Sequence, residues 1–237
     1  MGTYVLIHGG WHGSWCWEKV LPLLEREGHK VEVPDLPGNG RDKTPISEIS
    51  LQAYVDSVCR VLDVQSEPVI LLGHSIGGCI ITQAAEYRPD KIKTLVYLAA
   101  HLLQNGESLL QVSGADTESL VLPNLIMAED QSYATLRDEV IKDAFYGDCS
   151  NEDVARAKSL LTPQAIAPFA TPINTTEENF GRVPRVYIEC LRDRALSPSV
   201  QKKMYTTLPC KKVISMDTCH SPFLSAPEEL VAYLTSL

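Results

Sequence analysis

No stretch of this chain is long and apolar enough to form a membrane-spanning helix. Positive charge is also scarce: 21 Lys and Arg face 30 Asp and Glu, a net charge of −9. Nucleic acid and anionic membranes are bound through basic patches, so neither is expected as a partner. Lys202-Lys203 and Lys211-Lys212 are the only basic doublets, and they read as solvated surface. The seven cysteines are odd in number and contain no C-x-x-C pair, which points to reduced thiols in a cytoplasm rather than a disulfide frame. None of the six histidines stands in a metal-ligand spacing with another ligand. The nearest approach, His8 and His12, lies on a loop rich in Gly and Trp, so no metal is expected. Ahead of Tyr4-Val5-Leu6-Ile7 there is no charged leader with an apolar region, and Leu6 stands where a myristoylation motif needs Ser or Thr. Neither a secretion signal nor a lipid anchor is therefore expected. Asn174-Thr175-Thr176 matches a glycosylation acceptor only by coincidence if the chain is not secreted.

What is present is an alternation of strand and helix patterns. Short β-rich runs at Thr3–Ile7, Lys30–Val33, Val69–Leu72 and Thr94–Leu98 are separated by helical patterns. Those helices are read over Trp17–Glu27, with Gly28 as its stop, over Leu51–Val64 with Ser50 as N-cap, and from the glycines after Ser75 to Tyr87. This rhythm indicates a parallel sheet covered on both faces. Between residues 102 and 182 the rhythm stops. Helical patches at Tyr133–Phe145 and Asn151–Leu161 sit among polar, proline-bearing connections with no convincing strand. The expectation is a helical cap over the C-terminal edge of the sheet, with residues 1–101 and 183–237 forming the core. The rhythm then returns with strands at Arg185–Cys190 and Lys212–Met216, a helix started by Ser197-Pro198, and a last helix opened by a Ser225-Ala226-Pro227-Glu228 capping box. There is no internal repeat and no low-complexity segment.

The chemistry concentrates at Gly73-His74-Ser75-Ile76-Gly77, between the Val69–Leu72 strand and the following helix. A serine flanked by glycines at a strand-to-helix turn is a nucleophile elbow, in which the tight turn holds the hydroxyl clear of the backbone. A hydroxyl needs a base and a group that orients the base. In chain order the acid should come next and the histidine last, each just past a later strand. Asp193 follows the Arg185–Cys190 strand, and His220 follows the Lys212–Met216 strand. Asp217 competes for the acid role, but it sits on the histidine's own loop and leaves the end of the previous strand unexplained. Asp35 reads as turn chemistry, His74 as structural, Cys79 as a core filler, and Cys219 as pointing away from the site. Two backbone N–H groups should face the oxyanion that forms when the serine attacks a carbonyl. Ile76 supplies one, and Gly10, in the loop after the first strand, supplies the other.

Together His8-Gly9-Gly10-Trp11-His12-Gly13-Ser14-Trp15, Gly73-His74-Ser75-Ile76-Gly77-Gly78, Leu98-Ala99-Ala100, Asp193 and Cys219-His220 closely resemble the α/β-hydrolase superfamily. The nearest branch is similar to the plant-type methylesterase and hydroxynitrile lyase group with its bacterial carboxylesterase relatives. The resemblance runs over nearly the whole chain and is weakest in the cap. It implies a six-stranded, mostly parallel core flanked by helices, lacking the superfamily's first two strands. It also implies an inserted helical cap over a pocket, no cofactor, and a possible homodimer. The lyases of that group carry Thr after the loop's first His and Lys after the catalytic His, where this chain has Gly9 and Ser221. Both departures favour ester hydrolysis. The expected activity is a serine carboxylesterase acting on a small-molecule methyl or aryl ester, with Ser75, Asp193 and His220 as triad. Trp11, Leu102, Leu122, Leu125 and Phe145 are expected to form an apolar pocket. The alternatives are a carbon–carbon lyase acting on cyanohydrins and a non-catalytic ligand-binding protein that kept the fold.

Overall fold

The computed structural model describes residues 2–237. Strand β1 (Thr3–Ile7) leads through a 3-10 turn at Ser14–Trp17 to α1 (Leu21–Arg26), β2 (Lys30–Glu32) and α2 (Leu51–Asp63). Then follow β3 (Val69–His74), α3 (Gly77–Tyr87) and β4 (Ile92–Leu98). The next strand of this sheet comes only after a long excursion, which contains α4 (Leu109–Gly114), β5 (Leu125–Met127), β6 (Tyr133–Leu136), α5 (Asp138–Phe145), α6 (Asn151–Leu160), β7 (Gln164–Ala165) and α7 (Ala167–Ala170). The chain closes with β8 (Arg185–Cys190), α8 (Pro198–Thr207), β9 (Lys212–Met216), α9 (Pro222–Ser225) and α10 (Pro227–Thr235). The main sheet has six strands in the order β2-β1-β3-β4-β8-β9, and every pairing is parallel.

Every residue of β3 is buried, which is why Val69-Ile70-Leu71-Leu72 is apolar without alternation: helices cover both faces of the sheet. α2 buries Leu51, Tyr54, Val55, Val58, Cys59 and Leu62, a stripe at three- and four-residue spacing. Its first turn is capped by Ser50, whose side chain accepts from the Ala53 N–H at 3.0 Å. Ser197 caps α8 in the same way through the Val200 N–H.

Four local expectations are corrected. The Trp17–Glu27 helix is shorter, because Pro22 fixes the first turn of a helix that begins only at Leu21. The Ser225–Glu228 capping box does not form. Ser225 ends α9, its hydroxyl donates to Ser221 O, and Ala226 is the N-cap of α10. The excursion is not purely helical, since β5, β6 and β7 make a three-stranded antiparallel sheet. Tyr133–Phe145 accordingly splits into β6 and α5. The four-residue Tyr133-Ala134-Thr135-Leu136 alternates half-buried with buried, a strand too short to stand out as a period-two pattern.

The turn after β3 depends on its glycines. A Cβ on Gly73 would lie 2.5 Å from the carbonyl carbon and oxygen of Gly77, and one on Gly78 would lie 2.5 Å from His101 O. Those contacts are to backbone and have no side chain to yield. Gly73→Ala is therefore expected to destabilise the fold by about 1–3 kcal/mol or more, read as a drop in the thermal unfolding midpoint.

Candidate active site

Ser75 sits in the bend between β3 and α3 with φ +55, a left-handed conformation that non-glycine residues seldom adopt. Its backbone is pinned on three sides. Its N–H donates to Leu98 O at 3.4 Å, and its carbonyl accepts from Gly78 N–H at 3.1 Å and His101 N–H at 3.0 Å. The side chain is left free, since no hydrogen bond to Ser75 Oγ forms among the described residues. Asp193 and His220 stand on the loops after β8 and β9. His220 Nδ1 donates to Asp193 Oδ2 at 2.6 Å, with the two side chains 2% and 0% exposed.

Asp193 is held from all sides. Its Oδ1 accepts from the Ala195 and Leu196 N–H groups at 2.7 and 2.9 Å, and its Oδ2 also accepts from Gln201 Nε2 at 3.1 Å. Gln201, fully buried on α8, is fixed in turn by the Cys190 N–H and Leu196 O. A short carboxylate–imidazole bond of this kind fixes the ring's tautomer and leaves its other nitrogen as the acceptor. Asp217, the rival acid, has a side chain 79% exposed that pairs with Arg192 at 3.0 Å, away from the imidazole.

Three more imidazoles build the surroundings. His74 Nε2 donates to His220 O at 2.8 Å, and the two rings lie 4.4 Å apart between centroids. His8 accepts the Leu36 N–H on Nε2, so its Nδ1 carries the proton and donates to Gly9 O at 2.8 Å. His12 Nε2 accepts from the Tyr146 hydroxyl at 2.7 Å, and its Nδ1 donates to Gly10 O at 2.7 Å. The carbonyls of Gly9 and Gly10 are thus turned inward to histidines. The N–H groups of Gly10 and Ile76 make no hydrogen bond among the described residues, and both residues line the cavity that contains Ser75. Asp35, as turn chemistry predicts, accepts from the Ser14 and Arg41 N–H groups.

That cavity measures about 30 Å³ and lies under the excursion. Trp11, Leu122 and Phe145 face it, with the Trp11 ring 5.9 Å from Phe145. Leu102 and Leu125 do not. Leu102 lines a separate groove of about 580 Å³ on the far side of α4, because in the extended chain after β4 it is the neighbouring His101 that faces Ser75. Leu125 belongs to β5, half-buried in the excursion's own sheet. Sequence reasoning missed His101, Ser113 and Ser119, the polar part of the lining. His101 Nε2 lies 3.0 Å from Ser113 Oγ. The usable signal was its position just past Leu98-Ala99-Ala100, at the same end of the sheet as Ser75.

Burial lowers the pKa of His8, His12, His74 and His101, to about 3 for His12 and about 4 for His101, so these four are neutral in the folded protein. In the unfolded chain they take up protons near the usual value of about 6.5. The unfolded state then binds more protons, so stability is intact above pH 6.5 and falls as pH drops toward 4 for His101 and 3 for His12. Each such group costs about 1.4 kcal/mol per pH unit in its window. A thermal midpoint that declines steadily from pH 7 to pH 5 is expected, and a flat profile would contradict it.

With this geometry in view, the chain's similarities are informative. It is 34% identical over 243 residues to "Putative methylesterase 11, chloroplastic" of Arabidopsis thaliana, covering 96% of this chain but only 61% of that protein's length. It is 33% identical over 243 residues to a pyrethroid hydrolase of Sphingobium wenxiniae, with coverages of 95% and 84%. Among solved structures, a methylesterase from Arabidopsis superposes with a TM-score of 0.85 at 29% identity, covering 100% of this chain and 98% of that one. Polyneuridine aldehyde esterase does so with a TM-score of 0.87 at 28% identity and the same coverages. The alpha/beta hydrolase family profile matches residues 4–233, nearly the full length, and the chain belongs to that family.

Proposed function

We propose that this protein is a serine carboxylesterase that hydrolyses small methyl or aryl carboxylic esters through an acyl-enzyme. The observation that carries the reading is the buried 2.6 Å bond between His220 and Asp193, on loops that end at the same edge of the sheet as the strained Ser75. Ser75 Oγ attacks the ester carbonyl, and His220 Nε2 takes its proton and returns it to the departing alcohol. Asp193 holds the imidazole in the working tautomer. The Gly10 and Ile76 N–H groups receive the oxyanion, and each such donor contributes on the order of 100- to 1,000-fold in rate. The bond from Ser75 to His220 forms as substrate enters, as catalytic hydrogen bonds commonly do. Residues 102–182 act as the cap. The seven free thiols support a reducing compartment, the cytoplasm. The family resemblance supports a homodimer, which light scattering would read.

Hydrolysis of p-nitrophenyl acetate together with covalent labelling by a fluorophosphonate tests this reading. An idle serine, as in a ligand-binding protein, takes no label. The lyase alternative is disfavoured at residue 9. A Cβ on Gly9 would lie 2.8 Å from His74 Nδ1 and 3.0 Å from Ser75 Cβ, so a threonine does not fit there without movement. Mandelonitrile is expected to release no aldehyde above background.

The cavity beside Ser75 is small, about 30 Å³, and is walled by Trp11, Leu122 and Phe145. Short acyl chains are therefore expected to fit best, and longer ones to press on Leu122. Leu122→Ala is expected to raise the ratio of kcat/KM for p-nitrophenyl hexanoate over acetate by about tenfold, on the scale that one or two methylenes carry in an apolar pocket.

A further inference from the structure

We propose that Asp148, Cys149 and Cys219 form a binding site for a thiophilic divalent cation of the zinc class, joining the cap to the loop that carries His220. Asp148 and Cys149 lie in the turn between α5 and α6, and Cys219 directly precedes His220. Distant in sequence, the three residues place one donor atom each within 4.8 Å of the others, the only such group among the described residues. Both thiols are buried, Cys149 at 9% and Cys219 at 3% exposure.

A second, independent observation points to a ligand. Asp148 uses Oδ2 twice, for Arg192 at 3.0 Å and for the Cys219 N–H at 3.0 Å, while its Oδ1 is buried without a hydrogen-bond partner among the described residues. A buried carboxylate oxygen left unmatched is costly, and a cation between it and the two sulfurs would satisfy it. Two thiolates and one carboxylate are a zinc-type donor set with a fourth position open to water. A Zn–S bond of about 2.3 Å and a Zn–O bond of about 2.1 Å require the donors to close in by about 1 Å. The ion has a route in. A cavity of about 230 Å³ is lined by Asp148, Cys219, Arg192 and Arg194, and another of about 510 Å³ by Asp148 and Cys149.

On binding, the two S–H bonds break, two metal–sulfur bonds form and two protons leave. Asp148 contributes its existing negative charge, and the site's net charge of −1 faces Arg192. The Cys219 thiol gives up its bond to Phe145 O, while the Ser221 N–H continues to donate to the sulfur. A disulfide between the two cysteines would leave the Asp148 oxygen as it is; the cation uses all three donors.

The test uses the reduced full-length chain and Cd²⁺, whose thiolate complexes absorb in the near ultraviolet. One equivalent should saturate the band with release of two protons. Cys149→Ser and Cys219→Ser should each abolish it, and Cys210→Ser, a half-buried thiol elsewhere, should leave it intact. Zn²⁺ should raise the thermal midpoint of the unmodified protein but not that of Cys149→Ser. If a serine variant fails to fold, alkylation of the unmodified protein decides instead: Zn²⁺ should protect residues 149 and 219 and no other cysteine. Absence of the band, a band unchanged in Cys149→Ser, or a protein that loses two hydrogens to a 149–219 disulfide in place of binding the ion would each overturn the proposal. None of these readouts depends on ester hydrolysis.

Discussion

Ser75→Ala is expected to lower kcat on p-nitrophenyl acetate by on the order of a million-fold, the scale seen when a serine nucleophile is deleted from a triad that works as a unit. Stability should barely change, and the reason lies in the bonding around residue 75. The features that hold the turn are main-chain: the three backbone hydrogen bonds, φ +55 and the glycine contacts of Gly73 and Gly78. Ser75 Oγ takes part in none of them, so its removal orphans no buried partner, and alanine keeps the same Cβ in the same conformation. The variant should unfold within a degree or two of the parent, fail to react with fluorophosphonate and retain a parent-like circular dichroism spectrum. Turnover close to parental in such a well-folded variant would remove the serine from the mechanism. A variant that unfolds early would mean that the hydroxyl is a structural group.

Much of the core was legible because its signals are local. β3 is buried on both faces and so is written as an uninterrupted apolar run, and Gly73 and Gly78 mark places where backbones touch. The order serine, acid, histidine survives whatever lies between, since each member is fixed to the end of its own strand. The excursion was less legible for the opposite reason. Its strands are two to four residues long and take their structure from pairing with one another, as Tyr133–Ala165 and Leu125–Leu136 do across intervening helix and loop. The pocket lining suffers most from this. Whether His101 or Leu102 faces Ser75 depends on a half-turn of extended chain after β4, and nothing in a single residue's identity reports that phase. The Asp148, Cys149 and Cys219 cluster was invisible for a related reason, because spacing rules for metal sites search within one local segment and these donors come from the excursion and the last loop.

Asp193→Asn should reduce kcat by about 10⁴-fold, the cost of the wrong imidazole tautomer in a triad, and its surroundings explain why no rearrangement rescues it. An asparagine can keep its carbonyl oxygen toward the Ala195 and Leu196 N–H groups, where the chain offers only donors. Its amide nitrogen then replaces Oδ2 and meets two further donors, Gln201 Nε2 and His220 Nδ1–H. Gln201 is itself locked by the Cys190 N–H on its oxygen, so it cannot turn to present an acceptor. The imidazole is the group left to yield. It moves its proton to Nε2 and accepts from the new amide on Nδ1, which leaves no acceptor for the serine proton. A stability loss of about 1–3 kcal/mol from the remaining donor–donor contact should accompany the kinetic defect. Asp217→Asn is the control: that carboxyl is largely exposed and bonded to Arg192, and its loss should change kcat by less than about threefold, as expected for a surface ion pair. Measured side by side, the two variants separate the acids. A large defect at 217 with a small one at 193 would move the orienting role to the histidine's own loop, against the buried 2.6 Å bond.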